Sequence, residues 1–468
     1  MHGAMSLSIP QNYCEALCYP RLVPIPFVAS MTLGFVISLI RLKKSGGGCG
    51  LEAYLEKASN RQLERWQTMK KTDTDCVKEA VIGHRRTIHR LAELGGREYK
   101  TRDYVLEKVR HLGLPYEMVT ETAILATLDT GKPGPHIVLR ADMDALPLRE
   151  NPENLKGPRV CVSEQENTCH ACGHDAHAAM LLGSMEVLCG GQDGLNGVVY
   201  FCFEAGEEVG ASVRQMMDAL GRRKVDTVWA IHVYAALDTG KIGIRPGPCM
   251  AGFSGIDITV RGKGGHGSRP DLSVNPVFAA ASIVAHLPGV FVNQLNVEKT
   301  VTFGVTSIQG GQTSNVFPET AQIRGSMRFF DRDEGRKASD LVKKTAEHVA
   351  AIHNCTVTFG RVMQNVGTPV VNDPRYVRVA RKTARELFGD AAVPEEFPLW
   401  YASESFSSYC REYPGVLALL GIRNPDVGSG AEHHNEHFDI DESAMDMGVR
   451  ATVGYVTRLM AEGLPQSC

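Results

Sequence analysis

The sequence predicts an α/β fold into which a smaller α+β unit is inserted. Up to about residue 249, apolar strand-like segments alternate with amphipathic helical segments, which is typical of an open sheet covered by helices. From Gly252 the order becomes strand–helix–strand–strand–helix–strand, the pattern of a small split sheet with two helices on one face. The first pattern resumes at Val371. We therefore predict a discontinuous main domain, residues 75–250 and 365–468, and an inserted domain at 251–364.

The individual elements follow from the spacing of apolar residues. In the main domain, the spacing predicts helices at 77–94 and 101–112 and strands at 123–128, 136–144, 198–203 and 225–233. In the insertion, it predicts strands at 253–260, 300–308, 320–330 and 356–362 and helices at 275–287 and 333–352. Several main-domain strands end in acidic residues or histidine, and open α/β sheets bind their ligands at that edge.

Residues 1–74 are interpreted as an N-terminal extension that is not part of this fold. Residues 22–40 are an uncharged apolar run, with Arg21 before it and Arg41, Lys43 and Lys44 after it. The run is just long enough for one membrane-spanning helix, and the heavier basic flank would then keep the main body in the cytoplasm. The alternative, which we favour, is an upstream extension of a soluble protein. Both interpretations predict a cytoplasmic globular part.

The composition excludes some classes of function. A formal net charge of -3 gives no electrostatic basis for binding nucleic acid. The 13 cysteines follow no disulfide framework, so we interpret them as reduced thiols.

A metal site is indicated by the stretch Cys169-His-Ala-Cys-Gly-His-Asp-Ala-His177, because thiolate and imidazole are the ligands that borderline transition metals prefer. Cys172 and His174 flank Gly173 and can turn toward one point, while Asp175 is placed to orient a ligand from behind. Two alternatives remain open: a dithiol redox pair of Cys169 and Cys172, or unconnected core cysteines and surface histidines.

Three further stretches place metal-type ligands at strand ends or loops. Glu207 and Glu208 follow an apolar strand, His232 ends another, and His433-His434 lies near the C-terminus. Neighbouring side chains point apart, so two adjacent carboxylates cannot comfortably share one coordination position. One carboxylate binding a metal while the other holds an attacking water is a consistent division of roles.

Taken in order, these stretches resemble the motifs of the amidohydrolase branch of the dimetal peptidase family. That branch includes hippurate hydrolases, N-acyl-amino-acid amidohydrolases and auxin-conjugate hydrolases, and it is related to aminoacylases and carboxypeptidase G-type enzymes. The resemblance covers about residues 78–460. The matching stretches are 89–101, 139–147, 170–177, 203–211, 231–248, 262–270, 310–318, 403–406 and 434–438.

The resemblance implies a zinc-peptidase-like catalytic domain and a ferredoxin-like satellite domain at 251–364 that mediates dimerisation. It implies two divalent metal ions per subunit, zinc or manganese, with cobalt or nickel as alternatives. Glu207 becomes the general base, and His266, in a glycine-rich stretch of the satellite domain, is expected to bind the oxyanion, often in the partner subunit's site. Asn315 and Arg328 are expected to face the substrate, Arg328 as a bidentate clamp on a carboxylate. The implied metal ligands are Cys172, His174, Glu208, His232 and His434.

The chain departs from the family pattern at several positions without losing an implied ligand or base. Ser405 stands where the family usually has Asp, and Glu204-Ala-Gly206 replaces Gln-Pro-Ala. Cys169, Glu436 and Ala92 replace Met, Pro and Pro. These departures bear on the substrate pocket and on the choice of metal.

The sequence thus predicts a metal-dependent amidohydrolase that removes an acyl group from an N-acyl amino acid. A homodimer is expected, and no nucleic-acid partner. The alternatives are a dipeptidase or carboxypeptidase of the same family, an inactive relative that serves as a binding protein, and a dithiol regulator.

Overall fold

The computed structural model describes residues 71–466, with side chains from residue 77 onward. The apolar run 22–40 and nearly all of the predicted extension 1–74 therefore lie outside the described residues.

The larger sheet has seven strands in the order β1-β2-β4-β3-β5-β15-β6. Its central strands β4, β3, β5 and β15 run parallel, and β1, β2 and β6 join them antiparallel. The strands are β1 (Tyr116–Met118), β2 (Ile124–Asp129), β3 (His136–Asp142), β4 (Val198–Glu204), β5 (Thr227–Asp238), β6 (Ile242–Gly243) and β15 (Gly415–Arg423). The parallel strands are almost continuously buried, as expected when both faces of a sheet are covered.

Helices cover this sheet, most of them in direct contact with it. They are α1 (Lys71–Leu91), α2 (Tyr99–His111), α3 (His174–Gly190), α4 (Val213–Leu220), α7 (Pro374–Phe388), α8 (Ser407–Glu412) and α9 (Ala444–Glu462). Helix α3 is buried along most of its length, because α1 and α9 pack against it and it also contacts β3, β4 and β5. A helix that is covered on all sides is apolar all round rather than amphipathic. Its first turn is therefore held in a rigid setting.

A second, four-stranded antiparallel sheet has the order β10-β12-β8-β13. Its strands are β8 (Gly252–Arg261), β10 (Val301–Gly310), β12 (Thr320–Phe329) and β13 (Thr356–Phe359), and its helices are α5 (Pro276–Gln294) and α6 (Arg332–Ile352). The buried apolar residues of these elements form a hydrophobic cluster separate from that of the larger sheet. The chain order is β-α-β-β-α-β, as the sequence pattern predicts. The domain limits and the role of this part in dimerisation stay predictions.

Short strands complete the fold: β7 (Gly247–Met250) pairs with β14 (Val370–Asn372), and β9 (Gly265–His266) pairs with β11 (Val316–Phe317).

Most predicted elements match those observed to within a few residues, with two informative differences. Helix α5 continues through Pro288 to Gln294 rather than ending at 287. The buried side chains of Leu287 and Phe291, on either side of the proline, hold the helix on its sheet. Strand β5 runs five residues beyond the predicted end at 233, to Asp238, where β15 pairs with it at Tyr234 and, after an irregularity, at Asp238.

Among the described residues, α5 is the one helix that is long and apolar enough to cross a membrane by length and composition. Its buried residues, including Ala279 and Ile283, belong to the second hydrophobic cluster.

Candidate metal centre

The candidate site lies at the carboxyl edge of the parallel strands. Strand β3 ends at Asp142, and β4 runs through a turn into a short 3₁₀ helix, Glu207–Val209. His232 lies within β5, and α3 begins at His174. Because parallel strands place their carboxyl ends on one edge, these side chains converge although their positions are far apart in sequence.

All five implied ligands and the implied base fall into overlapping groups whose ligand atoms lie within 4.8 Å of one another. The groups are Cys172, Glu208 and His434; His174, Glu207 and Glu208; and Asp142, His174, His177 and His232. Glu208 and His174 each belong to two groups, so the side chains form one continuous cluster.

Hydrogen bonds fix which nitrogen of two histidines faces the cluster. His174 donates from Nδ1 to Asp144 Oδ1 (3.0 Å), and His232 donates from Nδ1 to the carbonyl oxygen of Val233 (2.7 Å). In both rings, the Nε2 lone pair is then directed away from that partner. His232 Nε2 lies 3.8 Å from Cys172 Sγ. A ring held through one nitrogen and open at the other is the usual arrangement of a metal-binding histidine.

His177 lies among these residues but is not available as a ligand. Its Nε2 accepts a hydrogen bond from the Val233 backbone N–H (2.9 Å), so the ring proton is on Nδ1 and is donated to Asp142 Oδ1 (2.6 Å). Burial lowers the pKa of His177, which keeps the ring in this neutral form. His177 therefore positions Asp142 and β5 instead of offering a lone pair.

Asp144 organises the cluster from behind. Its Oδ1 accepts from His174 and from the backbone N–H of Glu207 (3.1 Å), and its Oδ2 accepts from the N–H of Glu208 (3.1 Å). One carboxylate thus aligns a histidine and the 3₁₀ turn that carries both acids. The sequence indicated Asp144 only as an acid near a strand end.

Asp175, which the sequence suggests as the orienting acid, makes its hydrogen bonds elsewhere. Its Oδ2 accepts from Arg85 Nε and from His89 Nδ1, both at 2.8 Å. Asp175 follows His174 directly on α3, so the two side chains leave the helix about 100° apart and cannot face the same point. The orienting role that sequence reasoning gave to Asp175 corresponds in the structure to Asp144.

Two backbone features hold the loop. Gly173, just before α3, has φ +89°, and a Cβ atom there would lie 2.3 Å from Val233 Cγ2, so only glycine fits. His434 has φ +61°, an uncommon conformation for a residue with a side chain. Its backbone N–H donates to the carbonyl oxygen of Ala171 (2.9 Å), and its Nε2 lies 3.1 Å from Glu208 Oε1. The neighbouring His433 packs instead against Trp400 and Phe438.

The donor set fits a divalent cation. His174 Nε2 is buried without a hydrogen-bond partner, 3.7 Å from Asp142 Oδ2 and 4.0 Å from Glu208 Oε1. Burial opposes a charge on this ring, yet the neighbouring Asp142 carboxylate raises the pKa of His174 well above its ordinary value. The cluster therefore favours positive charge at this point. Sulfur, nitrogen and carboxylate oxygen together suit zinc and similar metals.

The burial of the two cysteines disfavours a reactive dithiol pair. Cys169 and Cys172 are both free and buried. Burial raises the pKa of Cys169 to about 12, and it raises the pKa of Cys172 as well. A thiol of this kind is not a ready nucleophile, which disfavours the dithiol regulator. A bound cation, however, would stabilise the Cys172 thiolate.

Glu207 is held by a loop that sequence reasoning left without a role. The backbone N–H of Ser405 donates to Glu207 Oε1 (2.7 Å). Burial and the negative charge of Glu404 raise the pKa of Glu207 well above its ordinary value. Glu404 in turn is paired with the buried Arg140 (2.9 Å). The resemblance includes residues 403–406 but gives no contact between them and the base.

The implied oxyanion-binding histidine and the two implied substrate-facing residues lie in the insertion. His266 is exposed, and its Nδ1 accepts from Ser268 N–H (3.1 Å). The carbonyl oxygen of Asn315, also exposed, accepts from Gly267 N–H (2.7 Å). In the part of the chain that the structure describes, no hydrogen bond, ion pair or ring contact joins His266 or Asn315 to the cluster.

Arg328 is closer to the cluster. Its Nη1 donates to Ser403 Oγ (3.2 Å), two residues before Ser405, and its guanidinium stacks over Phe253 at 4.7 Å. Burial lowers its pKa, and among the described residues no ion pair to Arg328 is found. A half-buried guanidinium of this kind can donate hydrogen bonds to an external carboxylate.

Comparison with known proteins agrees with this geometry. The model of Peptidase family M20/M25/M40 matches residues 138–458. Thermostable carboxypeptidase 1 of Saccharolobus solfataricus is 32% identical over 385 residues, which is 81% of this chain and 95% of that protein. IAA-amino acid hydrolase ILR1-like 4 of Arabidopsis thaliana is 29% identical over 385 residues, 82% of this chain and 86% of that protein.

A solved structure shows the same fold. The Bacillus subtilis YXEP protein, described as a dinuclear metal-binding peptidase from the M20 family, superposes with a TM-score of 0.69 at 24% identity. The match covers 82% of this chain and 99% of that protein. On these grounds, the chain belongs to Peptidase family M20/M25/M40, whose members are metal-dependent hydrolases that act on amide bonds.

Proposed function

We propose that the protein hydrolyses the amide bond of N-acyl amino acids, with Glu207 as the general base beside a centre of two divalent ions. The observation that carries this proposal is the position of Glu207. Its carboxylate belongs to the same cluster as His174 and Glu208, yet the Ser405 N–H holds one of its oxygens. An acid that borders the metal ligands but is fixed by a separate loop is suited to proton transfer.

The five proposed ligands are Cys172, His174, Glu208, His232 and His434. The Bacillus subtilis protein of similar fold is described as dinuclear, which supports two ions per chain. When bound, such ions polarise an amide carbonyl and make water more acidic. His174 and His232 reach the cluster through Nε2, and Asp144 and the Val233 carbonyl hold their other nitrogens. These supports keep the ligands in place during the reaction.

Glu207 supplies the proton transfer. Among its described contacts, only Oε1 accepts a hydrogen bond, so the second oxygen is left for the proton of the attacking water. Glu207 then donates that proton to the leaving amine, which is the free amino group of the product. The raised pKa of the carboxyl group in its buried setting makes it a better proton acceptor than an exposed glutamate once it is ionised.

Arg328 supports an amino acid as the leaving part. A free α-carboxylate would satisfy its half-buried guanidinium, which has no ion-pair partner among the described residues. The Arabidopsis relative is named an IAA-amino acid hydrolase, in agreement with this assignment. The second candidate function is a carboxypeptidase, because the Saccharolobus relative at 32% identity bears that name.

We further propose that His266 and Asn315 act in the site of a second copy of the chain. Both are exposed on the insertion, and apolar side chains are exposed on the same part of the molecule: Phe278 and Val292 on α5 are 67% and 79% exposed. Contact with a second copy would cover such side chains and carry His266 to a partner site.

A substrate panel tests the proposed function. The metal-loaded protein is incubated with N-acetyl, N-benzoyl and longer N-acyl amino acids, with the same compounds as α-carboxamides, with free dipeptides and with N-blocked dipeptides. We expect release of amino acid from N-acyl amino acids, with the carboxamides much poorer substrates. Arg328→Met should raise KM for the acids and leave the carboxamides little changed. Preferred cleavage of N-blocked dipeptides would favour the carboxypeptidase instead, and an inactive wild type would overturn the proposal.

The two adjacent acids should separate in their effects. Glu207→Gln removes a proton acceptor without removing a ligand, so kcat should fall by about 10²–10⁴-fold at unchanged metal content. Glu208→Gln, its matched control, removes a ligand and should lower both kcat and metal content. Metal is measured by mass spectrometry of the purified proteins. A Glu207→Gln enzyme within threefold of wild type would contradict the assignment of the base.

The orienting acid can be identified in the same way. Asp144→Asn places an amide N–H₂ against at least one N–H donor of the 3₁₀ turn or of His174, so zinc affinity should fall about 10- to 100-fold. Asp175→Asn is the matched control, because Asp175 is equally buried but contacts Arg85 and His89. Affinity is measured by competition with a chromophoric chelator. An Asp175→Asn protein that loses as much affinity as Asp144→Asn would contradict the assignment.

Mixing of inactive variants tests the second copy. His266→Ala and Glu207→Gln proteins are mixed after mild dissociation and allowed to reassociate. If His266 acts in the partner's site, some mixed dimers contain one intact site, and part of the activity should return. Reassociated Glu207→Gln alone is the control. Mixed dimers without activity would show that each site is built from one chain.

A further inference from the structure

A buried network of charges lies behind Glu207. None of its members is a proposed ligand, although Asp142 lies 3.7 Å from His174 Nε2 and Glu404 lies 3.9 Å from His232 Nε2. At its centre is Arg140, whose side chain is 2% exposed. The guanidinium pairs with Asp142 (Nη1, 2.8 Å), Glu204 (Nε, 3.0 Å) and Glu404 (Nη2, 2.9 Å). Three carboxylates thus surround one cation, and their positions depend on the remaining hydrogen-bond donors.

Glu204 accepts hydrogen bonds from three donors of this network. Its Oε2 accepts from Arg140 Nε and from the Tyr409 hydroxyl (2.6 Å), and its Oε1 accepts from the Ser405 hydroxyl (2.6 Å). Ser405 Oγ accepts in turn from Arg140 Nη2 (2.7 Å). Glu204 is fully buried. Arg140 Nε, the Tyr409 hydroxyl and the Ser405 hydroxyl therefore all donate to this one carboxylate.

Ser405 connects this network to the base. Its hydroxyl binds Glu204, and its backbone N–H binds Glu207 Oε1 (2.7 Å). Both groups belong to one residue, so a change at the hydroxyl that displaces Ser405 also displaces the N–H group that holds the proton acceptor. Glu204 and Glu207 are three residues apart in sequence, but Gly206, with φ +65°, turns the chain between them.

We propose that Glu204 is a positioning residue for the base Glu207, and that it acts through Ser405 as one matched acceptor–donor pair. The inference rests on the proposed function, because it concerns the placement of Glu207. The sequence also departs from the family pattern described above at both positions. Glu204 is a carboxylate where the family has Gln, and Ser405 stands where the family usually has the carboxylate of Asp.

The donor balance predicts that neither partner can be changed alone. With Glu204→Gln, the amide oxygen can serve Arg140 and Tyr409, but the amide N–H₂ then faces the Ser405 hydroxyl. That hydroxyl must turn toward Glu404 Oε1, which is 3.4 Å away. With Ser405→Asp, a new carboxylate faces Glu204 at about the present hydrogen-bond distance, and the two acids repel each other in a buried setting.

The two changes together restore the balance. In the double variant, the introduced carboxylate accepts from the introduced amide N–H₂ and from Arg140 Nη2, while the amide oxygen accepts from Arg140 Nε and Tyr409. Every donor has an acceptor again, and the number of carboxylates around Arg140 is that of the wild type. The pair should therefore be strongly non-additive.

The test is a double-mutant cycle of wild type, Glu204→Gln, Ser405→Asp and the double variant. For each protein, kcat, KM, zinc content and the midpoint of thermal unfolding are measured, with the most active substrate of the panel. We expect each single variant to lose about 10- to 100-fold in kcat, the range for groups that support an active-site residue from behind. KM and zinc content should change little. The double variant should recover to within threefold of wild type in kcat.

A control separates positioning from general destabilisation. Thr227→Val removes a buried hydrogen bond to the Pro414 carbonyl at the amino end of β5, remote from the cluster. It should lower the unfolding midpoint and leave kcat unchanged. Losses of kcat that simply multiply in the double variant would overturn the proposal. So would single variants with wild-type kcat, or a double variant that regains stability but not kcat.

The unfolding midpoints do not require a substrate. Additive shifts of the midpoint in the cycle would overturn the pair whatever the activity, even if a single variant is too unstable for kinetics. A wild-type protein that is inactive on the whole panel would instead overturn the proposed function, and coupling of the midpoints would then still support the Glu204–Ser405 pair itself.

Discussion

The structure depends on one electrostatic constraint: many carboxylates are buried together at a single edge of a sheet. Asp142, Asp144, Glu204 and Glu404 are all at most 5% exposed, and Glu207 and Glu208 adjoin them. Arg140 is the guanidinium that pairs with three of the four, and backbone N–H groups donate to the fourth, Asp144. A buried carboxylate without a partner is costly, so positive charge at this edge is strongly favoured. The raised pKa of His174 is a direct consequence of that field.

The same constraint explains the roles of the neighbouring groups. Side chains that are not proposed ligands orient the ligands and the base through hydrogen bonds. Asp144 aligns His174 and the Glu207–Glu208 turn, while His177 fixes Asp142 and the backbone of β5. Ser405 links the Arg140 network to Glu207. Ligand geometry is therefore determined by hydrogen bonds outside the ligand set, which is how proteins commonly set the orientation of metal-binding histidines.

The sequence predicts the parts of this arrangement that depend on local pattern. Strand ends can be recognised in the sequence as apolar runs followed by polar residues. Because a parallel sheet brings these ends to one edge, Glu208 and His232 could be predicted to lie close together. The cysteine and histidine stretch before α3 is legible because its residue types are specific to metal binding. Family resemblance supplied the choice between neighbours such as His433 and His434, which spacing alone left open.

Other parts could not be predicted because they depend on contacts between distant segments. The choice of Asp144 over Asp175 depends on the direction in which each side chain leaves its backbone, and both are acids close to the ligands in sequence. The exclusion of His177 depends on a single backbone N–H, that of Val233. Arg140 and Glu404 are separated by more than 260 residues, and their pairing is visible only in the fold. The continuation of α5 through Pro288 is likewise a result of tertiary packing.

The proposed centre binds two divalent ions through one thiolate, three imidazoles and one carboxylate. X-ray absorption spectroscopy of the zinc-loaded protein, with zinc quantified on the same sample, tests it most directly. We expect two zinc ions per chain and a sulfur scatterer at about 2.3 Å, the usual zinc–thiolate distance, which disappears in Cys172→Ser. A single zinc ion per chain, or a spectrum with no sulfur contribution, would contradict the account.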